Sequence, residues 1–435
     1  MRFLGIGDVN DLGDMYVRLL AAGHEVKVYV GDPDSADTLE GLVPRTPDWR
    51  AELDWVRQAG EDGILLFENA SDGAIQDELR ADGLNVIGGS ALGDRLEQDR
   101  EFGQVCLSDA GLAIAKSTRF TDFPAGIAFV RSHPGRYVFK LDGSAFHASR
   151  NYVGELDDGR DICALLEKEH AQWKEKTRPS FILMEHLSGV EVGVGAYFNG
   201  EDFLEPVCID WEHKRFFPGD IGELTGEMGT LVSYGNAQPL FARTLAKMKD
   251  ILRSSGYVGY INLNTIVNER GIWPLEFTCR FGYPGFAILS ALHLEGWDVL
   301  FSRMIRRTRT DFRTRPGFAV GVAITVPPFP SAHDYARKSK GLPVLFRRPL
   351  TTDDWTHIHL DEVALRDGQL YASGQVGHLM VVTGCGETVE DARTGAYDLA
   401  RQIVVPNLRY RNDIGLRFIE RDRSLLAEAG LWPKA

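Results

Sequence analysis

The first 90 residues alternate between strand-like and helix-like segments, and this alternation constrains the fold more than any other feature of the sequence. The apolar, strand-like runs are Arg2–Ile6, Glu25–Val30, Gly63–Phe67 and Asn85–Ile87. The helical segments between them are Asp14–Ala22, Asp48–Gly60 and Asp72–Asp82. Strands that alternate with helices form a parallel sheet of the doubly wound type. We therefore predict an α/β, Rossmann-like domain over residues 1–100.

Gly5, Gly7 and Asp32 raise the alternative of dinucleotide binding in this domain. The dinucleotide fingerprint needs a third glycine at position 10, where this chain has Asn10. A Gly-x-Gly pair after a strand is a weak signal by itself, so nicotinamide binding is not expected.

Composition excludes several broad classes of function. The chain has 435 residues and a formal net charge of −14, which indicates several domains and disfavours a nucleic-acid or membrane-surface binder. Its five cysteines form no Cys-x-x-Cys pair, which fits a reducing compartment and gives no sign of a thiolate metal site. No apolar run approaches the roughly 18 residues of a membrane span. We expect a cytoplasmic protein that binds neither nucleic acid nor membranes.

Beyond residue 90 strands and helices are mixed. A helix is expected at Arg95–Ser108, and a strand hairpin at Tyr260–Val267 and Ile272–Phe277, joined by a turn at Asn268–Gly271. After a strand at Phe318–Thr325, several short strands predict a small antiparallel sheet. These strands are Thr356–Leu360, Glu362–Arg366, Gln369–Ala372 and His378–Thr383.

The segment 212–229, EHKRFFPGDIGELTGEMG, combines a basic trio with a glycine-rich loop. Glycines let backbone amides approach an anion closely, and His213, Lys214 and Arg215 can donate charge-assisted hydrogen bonds to phosphate or carboxylate. The loop also carries acids (Asp220, Glu223, Glu227), so a cation or an amine is an alternative ligand. A solvated charged turn would show the same pattern.

Two separate positions suggest a nucleotide site. Lys140 ends an apolar strand, where a lysine either extends to water or binds phosphates. Glu276 lies inside an apolar strand, where an unpaired carboxylate is costly, so it is paired or metal-bound. Asn264, across the predicted hairpin, would face the same side. Oxygen ligands on adjacent strands suit Mg²⁺, and Arg280 would neutralise a phosphoryl group or a substrate anion.

The chain as a whole resembles the ATP-grasp superfamily, and within it the phosphoribosylamine–glycine ligase (glycinamide ribonucleotide synthetase) family. Motifs in the same order along nearly the full length carry the resemblance. They are Val86-Ile-Gly88-Gly-Ser90 with Leu96-Glu97, Lys140-Leu-Asp142-Gly143, Glu185 through Glu191, His213-Lys-Arg215, Gly219-Asp220, Thr225-Gly226-Glu-Met228-Gly229, Leu275-Glu-Phe, Arg280-Phe-Gly282, Val382-Thr383-Gly-Cys-Gly386-Glu-Thr388 and Tyr410-Arg411-Asn-Asp413-Ile-Gly415.

The resemblance implies three domains and an activity. An ATP-grasp domain would occupy residues 101–312, with a nucleotide-binding lobe at about 115–187, and a C-terminal mixed β/α domain would occupy residues 313–435. The activity would be ATP-dependent amide formation from a carboxylate and an amine through an acyl phosphate, with ATP and Mg²⁺ (or Mn²⁺) as cofactors. The implied substrates are small molecules, an amino acid such as glycine and an amine, and the implied assembly is a monomer or homodimer.

The resemblance also implies roles for individual residues. Arg100, Lys140, Glu185, Leu187 and Glu191 would bind ATP, with Glu191 on the ribose and Glu185 near the adenine. Glu276 would bind the metal with Asn264 and Thr278. Lys214, Arg215 and Arg280 would surround the transferring group. Asp220, Glu223, Thr225, Gly226 and Arg280 would contact substrate, Asp220 near the acceptor.

The sequence departs from the family at its substrate-binding positions more than at its ATP positions. The family's Gly-Gly-Arg-Glu-His signature, associated with phosphoribosylamine, is replaced by Asp8–Gly13, and its Pro-Asn-Thr-Gly-Gly by Glu223–Glu227. The turn after Lys140 carries His147-Ala148-Ser149, an asparagine beside the metal glutamate becomes Thr278, and an Asp and a Glu become Tyr283 and Gly285.

Three functions are therefore weighed. The chain is a ligase for a different amine or carboxylate, or a diverged phosphoribosylamine–glycine ligase of purine biosynthesis, or an ATP-binding protein that has lost catalysis. Lys140, Glu191, Glu276 and Arg280 argue against the third, and the acids Glu223 and Glu227 favour an amine-bearing partner over a strongly anionic one.

Overall fold

The computed structural model describes residues 1–141, 151–173, 180–308 and 311–434. Two features named above fall outside these ranges: the Asp142-Gly143 end of the lysine motif and the turn at His147–Ser149.

The N-terminal residues form a parallel sheet ordered β2-β1-β3-β4, as predicted. Its strands are β1 (Arg2–Gly7), β2 (Glu25–Val30), β3 (Gly63–Phe67) and β4 (Asn85–Ile87). The helices are α1 (Gly13–Ala21), α2 (Leu53–Arg57), which follows a 3₁₀ turn, and α3 (Gly73–Ala81). Alternate strand residues enter two separate cores, Phe3 one and Leu4 the other. A sheet buried on both faces needs such continuous apolar strands.

The single helix predicted at Arg95–Ser108 is in fact two helices. α4 (Ala91–Gln98) ends at Asp99, and α5 (Arg100–Asp109) begins immediately after it. The Asp99 carboxylate accepts a hydrogen bond from the Phe102 backbone N–H at 3.0 Å. Aspartate is favoured at helix N-caps because it satisfies such an unpaired donor. The break places Arg100 at the first turn of α5.

A small antiparallel sheet, ordered β5-β8-β6-β7, forms the next lobe together with two helices. The elements are β5 (Ser117–Phe120), α6 (Phe123–Ser132), β6 (Tyr137–Leu141), β7 (Tyr152–Val153), α7 (Arg160–Gln172) and β8 (Phe181–Glu185). Phe139, Phe181 and Leu183 pack against both helices in a separate core.

The centre of the protein is a large sheet ordered β15-β14-β9-β10-β13-β16-β21-β18. Its strands are β9 (Val190–Asn199), β10 (Cys208–Glu212), β13 (Gly229–Ser233), β14 (Val258–Asn268), β15 (Gly271–Thr278), β16 (Phe318–Thr325), β18 (Ile358–Leu360) and β21 (His378–Gly386). The hairpin β11 (Arg215–Phe217) and β12 (Ile221–Leu224) projects between β10 and β13. The flanking helices are α8 (Gln238–Arg243), α9 (Lys249–Ser254), α10 (Gly285–Ser290) and α11 (Trp297–Arg306).

The C-terminal strands do not form one small sheet, so that prediction was wrong. β18 and β21 join the large sheet through β16, while a separate sheet is ordered β19-β20-β17-β22. Its strands are β17 (Pro343–Phe346), β19 (Val363–Arg366), β20 (Gln369–Ala372) and β22 (Ile403–Val404). The remaining helices are α12 (Tyr335–Lys338), α13 (Thr352–Thr356), α14 (Val389–Ala400) and α15 (Arg423–Glu428). β16 and β21 are almost wholly buried, and apolar strands of this kind need a partner on each edge.

In the described ranges, no helix is both long and apolar enough to pass through a bilayer.

The N-terminal sheet is joined to the large sheet at two glycines. The Gly88 backbone N–H donates to the Val258 carbonyl at 2.9 Å, and Gly88 bridges to Gly259. A Cβ on Gly259 would lie 2.1 Å from the Gly88 carbonyl oxygen, so only glycine permits this approach.

We expect Gly259→Ala to separate the backbones at this junction and to lower the free energy of unfolding by about 1–3 kcal/mol, as overpacking generally does. Thermal or urea unfolding measures the loss. Gly285→Ala is the matched control, because a Cβ at Gly285 would meet no atom within 4 Å. Equal stability of the two variants would contradict the conclusion that the junction requires glycine at position 259.

Candidate active site

One face of the large sheet carries a row of polar side chains. In the strand register Asn264 lies opposite Glu276 on β15 and opposite Gly193 on β9, which in turn lies opposite Asp210 on β10. Because side chains alternate along strands, residues two apart share this face. Its members are Glu191, Gly193, Asp210, Glu212, Asn262, Asn264, Glu276 and Thr278. The predicted juxtaposition of Asn264 and Glu276 is confirmed.

Lys214 is the centre of this face. Its Nζ lies 2.9 Å from Glu212 Oε2, 3.2 Å from Glu276 Oε1 and 3.6 Å from Glu191 Oε1. Burial acts to lower the pKa of Lys214, but the Glu212, Glu276 and Glu191 carboxylates outweigh it and raise the pKa well above its usual range. The positive charge of Lys214 holds the pKa of Glu276 well below its usual range, although burial of the Glu276 carboxylate acts in the opposite direction. Both groups are therefore charged at neutral pH.

Arg100 and Lys140 approach the same glutamate from the neighbouring elements. Arg100 Nη2 lies 3.5 Å from Glu276 Oε2, and Arg100 Nη1 is a buried donor with no hydrogen-bond partner among the described residues. Desolvation lowers the pKa of Lys140 to about 8, with Glu276 opposing the shift and the charges of Arg100 and Lys214 adding to it. These cations converge on a space that suits a polyanion.

Glu276 fits a magnesium site that substrate phosphates complete. Its side chain is 37% exposed and ionised, and Thr278 follows two residues later on the same face. Asn264 turns its amide toward Glu212, with Nδ2 to Oε2 at 3.1 Å. Across the described ranges, no group of His, Cys, Asp and Glu side chains is arranged to hold a metal alone. Mg²⁺ commonly takes one or two carboxylates and draws its other ligands from phosphates and water.

An apolar patch and two acids mark the other end of the cleft. Leu187 is buried with Ala115 and Met184 in a small cluster beside β8. The Glu185 backbone N–H donates to the Lys116 carbonyl, and its carboxylate pairs with Arg270 at 3.2 Å. The Glu191 side chain is 40% exposed and lies toward Lys214. This end of the site therefore combines a buried apolar cluster with two partly exposed acids.

The 212–229 segment is a hairpin rather than a bare glycine loop. Thr225 donates both its backbone N–H (2.8 Å) and its Oγ1 (2.9 Å) to the Lys214 carbonyl, so it positions Lys214. Arg215 Nη1 donates to the Gly222 carbonyl at 2.5 Å. Glu223 and Gly226 are exposed. A Cβ at Gly226 would meet nothing within 4 Å, so no close backbone approach requires this glycine.

Asp220 is bound by two arginines from the C-terminal segment. Its Oδ1 pairs with Arg411 at 2.9 Å and its Oδ2 with Arg417 at 3.0 Å. Arg411 is fully buried and also pairs with Asp413 at 2.7 Å. Burial raises the pKa of Asp220, but the charges of Arg417 and Arg411 prevail and lower it. Asp220 thus anchors the hairpin to the C-terminal segment, and its contact with an acceptor stays a prediction.

His213 does not act with Lys214 and Arg215 as the sequence suggested. Its ring is buried, and its Nε2 accepts from the Gly415 backbone N–H at 3.3 Å. Burial, reinforced by the charges of Arg417 and Arg411, lowers the pKa of His213 to about 3. It is neutral, and it belongs to the packing beneath the hairpin rather than to the cationic site.

Arg280 is held by a residue that the sequence alone did not single out as functional. Glu97, at the end of α4, accepts from Arg280 Nε at 3.1 Å and from the Cys279 backbone N–H at 2.7 Å. Glu212 was missed in the same way. Glu97 lies in the Leu96-Glu97 motif and Glu212 directly precedes the basic trio. The only sequence signal for these two residues was a carboxylate within or next to a motif. For Glu97 the partner, Arg280, is far away in sequence, so the pairing could not be read from the local pattern.

Several acids lie beyond Arg280, where the N-terminal loop meets the C-terminal strands. Desolvation raises the pKa of Asp11 to about 6, and the charge of Asp361 adds to the shift while Arg280 opposes it. Burial raises the pKa of Glu68 to about 8, with Asp11 contributing. His378 Nδ1 lies 3.2 Å from Asp361 and 2.9 Å from the Tyr283 hydroxyl. This end of the cleft is rich in acids.

Comparison with known proteins gives a consistent relationship. Residues 98–286 match the family described as the ATP-grasp (A) domain of phosphoribosylglycinamide synthetase. The chain is 23% identical to phosphoribosylamine–glycine ligase of Listeria monocytogenes, over 92% of this chain and 96% of that protein. It is 26% identical to that of Rhizobium meliloti, over 90% and 92%.

Solved structures extend the likeness to the fold. Phosphoribosylamine–glycine ligase from Thermotoga maritima superposes with a TM-score of 0.70 at 22% identity, covering 95% of this chain and 100% of that chain. N5-carboxyaminoimidazole ribonucleotide synthetase from the same organism superposes with a TM-score of 0.58 at 12% identity, over 93% and 99%.

We expect the affinity for ATP to fall as the pH rises through about 8, because Lys140 loses its proton near that pH in the nucleotide-free protein. Below that pH the ammonium is charged and attracts phosphates, and above it the affinity declines by up to about tenfold per pH unit. Calorimetric titration with ATP between about pH 6.5 and 9.5 measures the dependence. Lys140→Arg stays charged throughout this range, so its affinity should be nearly constant. An equal pH dependence in both proteins would contradict the role of Lys140 in binding the phosphates of ATP.

Proposed function

We propose that this chain, which has the ATP-grasp fold and resembles phosphoribosylamine–glycine ligase over nearly its full length, is an ATP-dependent carboxylate–amine ligase. The substrate carboxylate would attack the γ-phosphorus of ATP, the bond to ADP would break, and an acyl phosphate would form. The amine would then attack the acyl carbon, phosphate would leave, and the amine would lose a proton. The products are an amide, ADP and phosphate.

The observation that carries the proposal is the convergence of Lys214, Arg100 and Lys140 on Glu276. Phosphoryl transfer depends on positioning and on neutralising charge at the transferring group. Arg100 and Lys140 would bind the ATP phosphates, and Lys214 would stand beside the transferring group. Mg²⁺ held at Glu276, with Asn264 and Thr278 nearby, would supply further charge neutralisation. Because these side chains pair with one another, they are already in position before substrate binds.

Further roles follow from position in the cleft. Glu191 would accept hydrogen bonds from the ribose, while Leu187 and the backbone at Glu185 would contact the adenine. Arg280, held by Glu97, would bind a substrate anion or the transferring group. The hairpin residues Arg215, Asp220, Glu223, Thr225 and Gly226 would border the acceptor. The protein would work on small molecules in the cytoplasm, as a monomer or homodimer.

A specific observation favours an amine other than phosphoribosylamine. The region beyond Arg280 contains the acids Asp11, Glu68 and Asp361. The charge of Asp361 raises the pKa of Asp11, and the charge of Asp11 raises the pKa of Glu68. A phosphate ester would add two negative charges to a region where carboxylates already repel each other. An amine without a phosphate fits this region better, with an amino acid such as glycine as one candidate for the carboxylate substrate.

Phosphate release from ATP tests the activity and the choice of amine together. The reaction is followed with glycine alone, with glycine and phosphoribosylamine, and with a panel of amino acids and phosphate-free amines. Turnover with a phosphate-free amine and not with phosphoribosylamine is the expected result. Turnover that needs phosphoribosylamine would assign the purine-pathway activity instead. ATP binding without turnover in every mixture would contradict the ligase proposal and leave a protein that only binds ATP.

We expect Glu276→Gln to lower kcat/KM for ATP by about 100-fold or more, a typical loss when a charged group at a phosphoryl-transfer site is neutralised. The glutamine keeps the shape but loses the ion pair with Lys214 and the ligand for Mg²⁺. Glu269→Gln is the matched control, because Glu269 is an exposed acid on the turn that joins β14 to β15. Coupled ADP release at saturating Mg²⁺ measures both variants, and equal activity would contradict the role of Glu276.

A further inference from the structure

The polar face of the large sheet and the segment beside it carry three oxygens that have no hydrogen-bond partner among the described residues. Asp210 Oδ1, Asn262 Oδ1 and Glu227 Oε1 have no hydrogen-bond partner across the described ranges. The three residues are 5%, 6% and 8% exposed, respectively. Buried acceptors without donors are costly and uncommon in native structures. Their presence together points to a ligand that brings donors.

Strand geometry brings these side chains into one place. Asp210 on β10 and Asn262 on β14 flank β9, and the glycines of β9 let side chains from both neighbouring strands extend over it. A Cβ on Gly193 would lie 2.3 Å from Asp210 Oδ1, so the glycine lets this carboxylate extend over β9. Asn262 Nδ2 donates to Asp210 Oδ2 at 2.6 Å. That bond fixes the amide so that its Oδ1 remains an acceptor.

Glu227, in the segment between β12 and β13, is buried and close enough to Glu212 and Asp210 for their charges to act on it. Burial raises the pKa of Glu227 well above its usual range, and the carboxylates of Glu212 and Asp210 add to the shift while Lys214 opposes it. Burial also raises the pKa of Asp210 to about 8.

We propose that Asp210, Asn262 and Glu227 form a binding pocket for a primary ammonium group of the substrate. A primary ammonium has three N–H donors and no acceptor, which matches an amide oxygen and two carboxyl oxygens. The pocket lies two residues along β10 from Glu212 and Lys214, so a ligand here would reach the reacting centre with its other end. The class of substrate is a small amine or amino acid that presents a free –NH₃⁺ and carries no phosphate at that end.

That the ligand is a substrate rests on the proposed function, but binding of an ammonium group can be measured without turnover. The probe is ethylammonium, titrated into the full-length protein and followed by saturation-transfer NMR. Tetramethylammonium, a cation of similar size without N–H donors, is the competitor, and ionic strength is kept constant. Saturable ethylammonium binding that tetramethylammonium does not displace is the expected result.

Substitutions locate the binding. Asp210→Asn and Glu227→Gln keep side-chain shape and are expected to weaken ethylammonium binding at least tenfold, whereas Glu269→Gln should leave it unchanged. Unchanged binding in folded Asp210→Asn and Glu227→Gln proteins would overturn the proposal. If these variants do not fold, the wild-type competition decides: no saturable binding, or equal displacement by tetramethylammonium, overturns it.

The outcomes also separate this inference from the proposed function. A protein that binds ethylammonium at this pocket and releases no phosphate with any substrate mixture contradicts the ligase activity and leaves the pocket standing. A protein that releases phosphate but does not bind ethylammonium contradicts the pocket and leaves the ligase activity standing.

Discussion

The arrangement of the candidate active site depends on one lysine held among carboxylates. Lys214 contacts Glu212, Glu276 and Glu191, which come from three different strands of the large sheet. Removing either sign of charge would leave the other desolvated and unpaired, which is costly. The network therefore holds these side chains in fixed positions. Arg100 and Lys140 add positive charge around the same Glu276 carboxylate.

Glycines in the central strand determine how deep this site can be. Gly193 and Gly195 lie on the polar face of β9, and side chains from β10 and β14 occupy the space that a Cβ would fill. Asp210 extends over Gly193, while the Tyr260 hydroxyl and Cys208 Sγ lie over Gly195. Because strand side chains normally cover this space, the glycines let polar side chains from the neighbouring strands lie directly over β9. The side chain of Asp210 occupies the space that a side chain at position 193 would otherwise fill, and this places its carboxyl group beside Asn262.

Much of the fold and part of the site were predictable from local patterns. The parallel N-terminal strands and the β14–β15 hairpin follow from apolar periodicity and turn residues, and that hairpin alone places Asn264 opposite Glu276. The sheet membership of β18 and β21 was not predictable, since pairing between distant strands leaves no local signal. His213 was grouped with Lys214 and Arg215 because the three are adjacent in sequence. Its ring instead packs near Gly415 of the C-terminal segment, a contact that no local pattern reveals.

The sequence by itself determined the parallel N-terminal strands, the β14–β15 hairpin and the strands that carry Lys140 and Glu276. Those properties depend on residues that are neighbours along the chain or that match a known order of motifs. Only the tertiary structure decided which charges meet. Glu97 pairs with Arg280, Arg411 pairs with Asp220, and the charge of Asp210 acts on Glu227, because packing brings together segments far apart in sequence. The interaction between two charged groups depends on their separation and burial, and the local sequence pattern specifies neither.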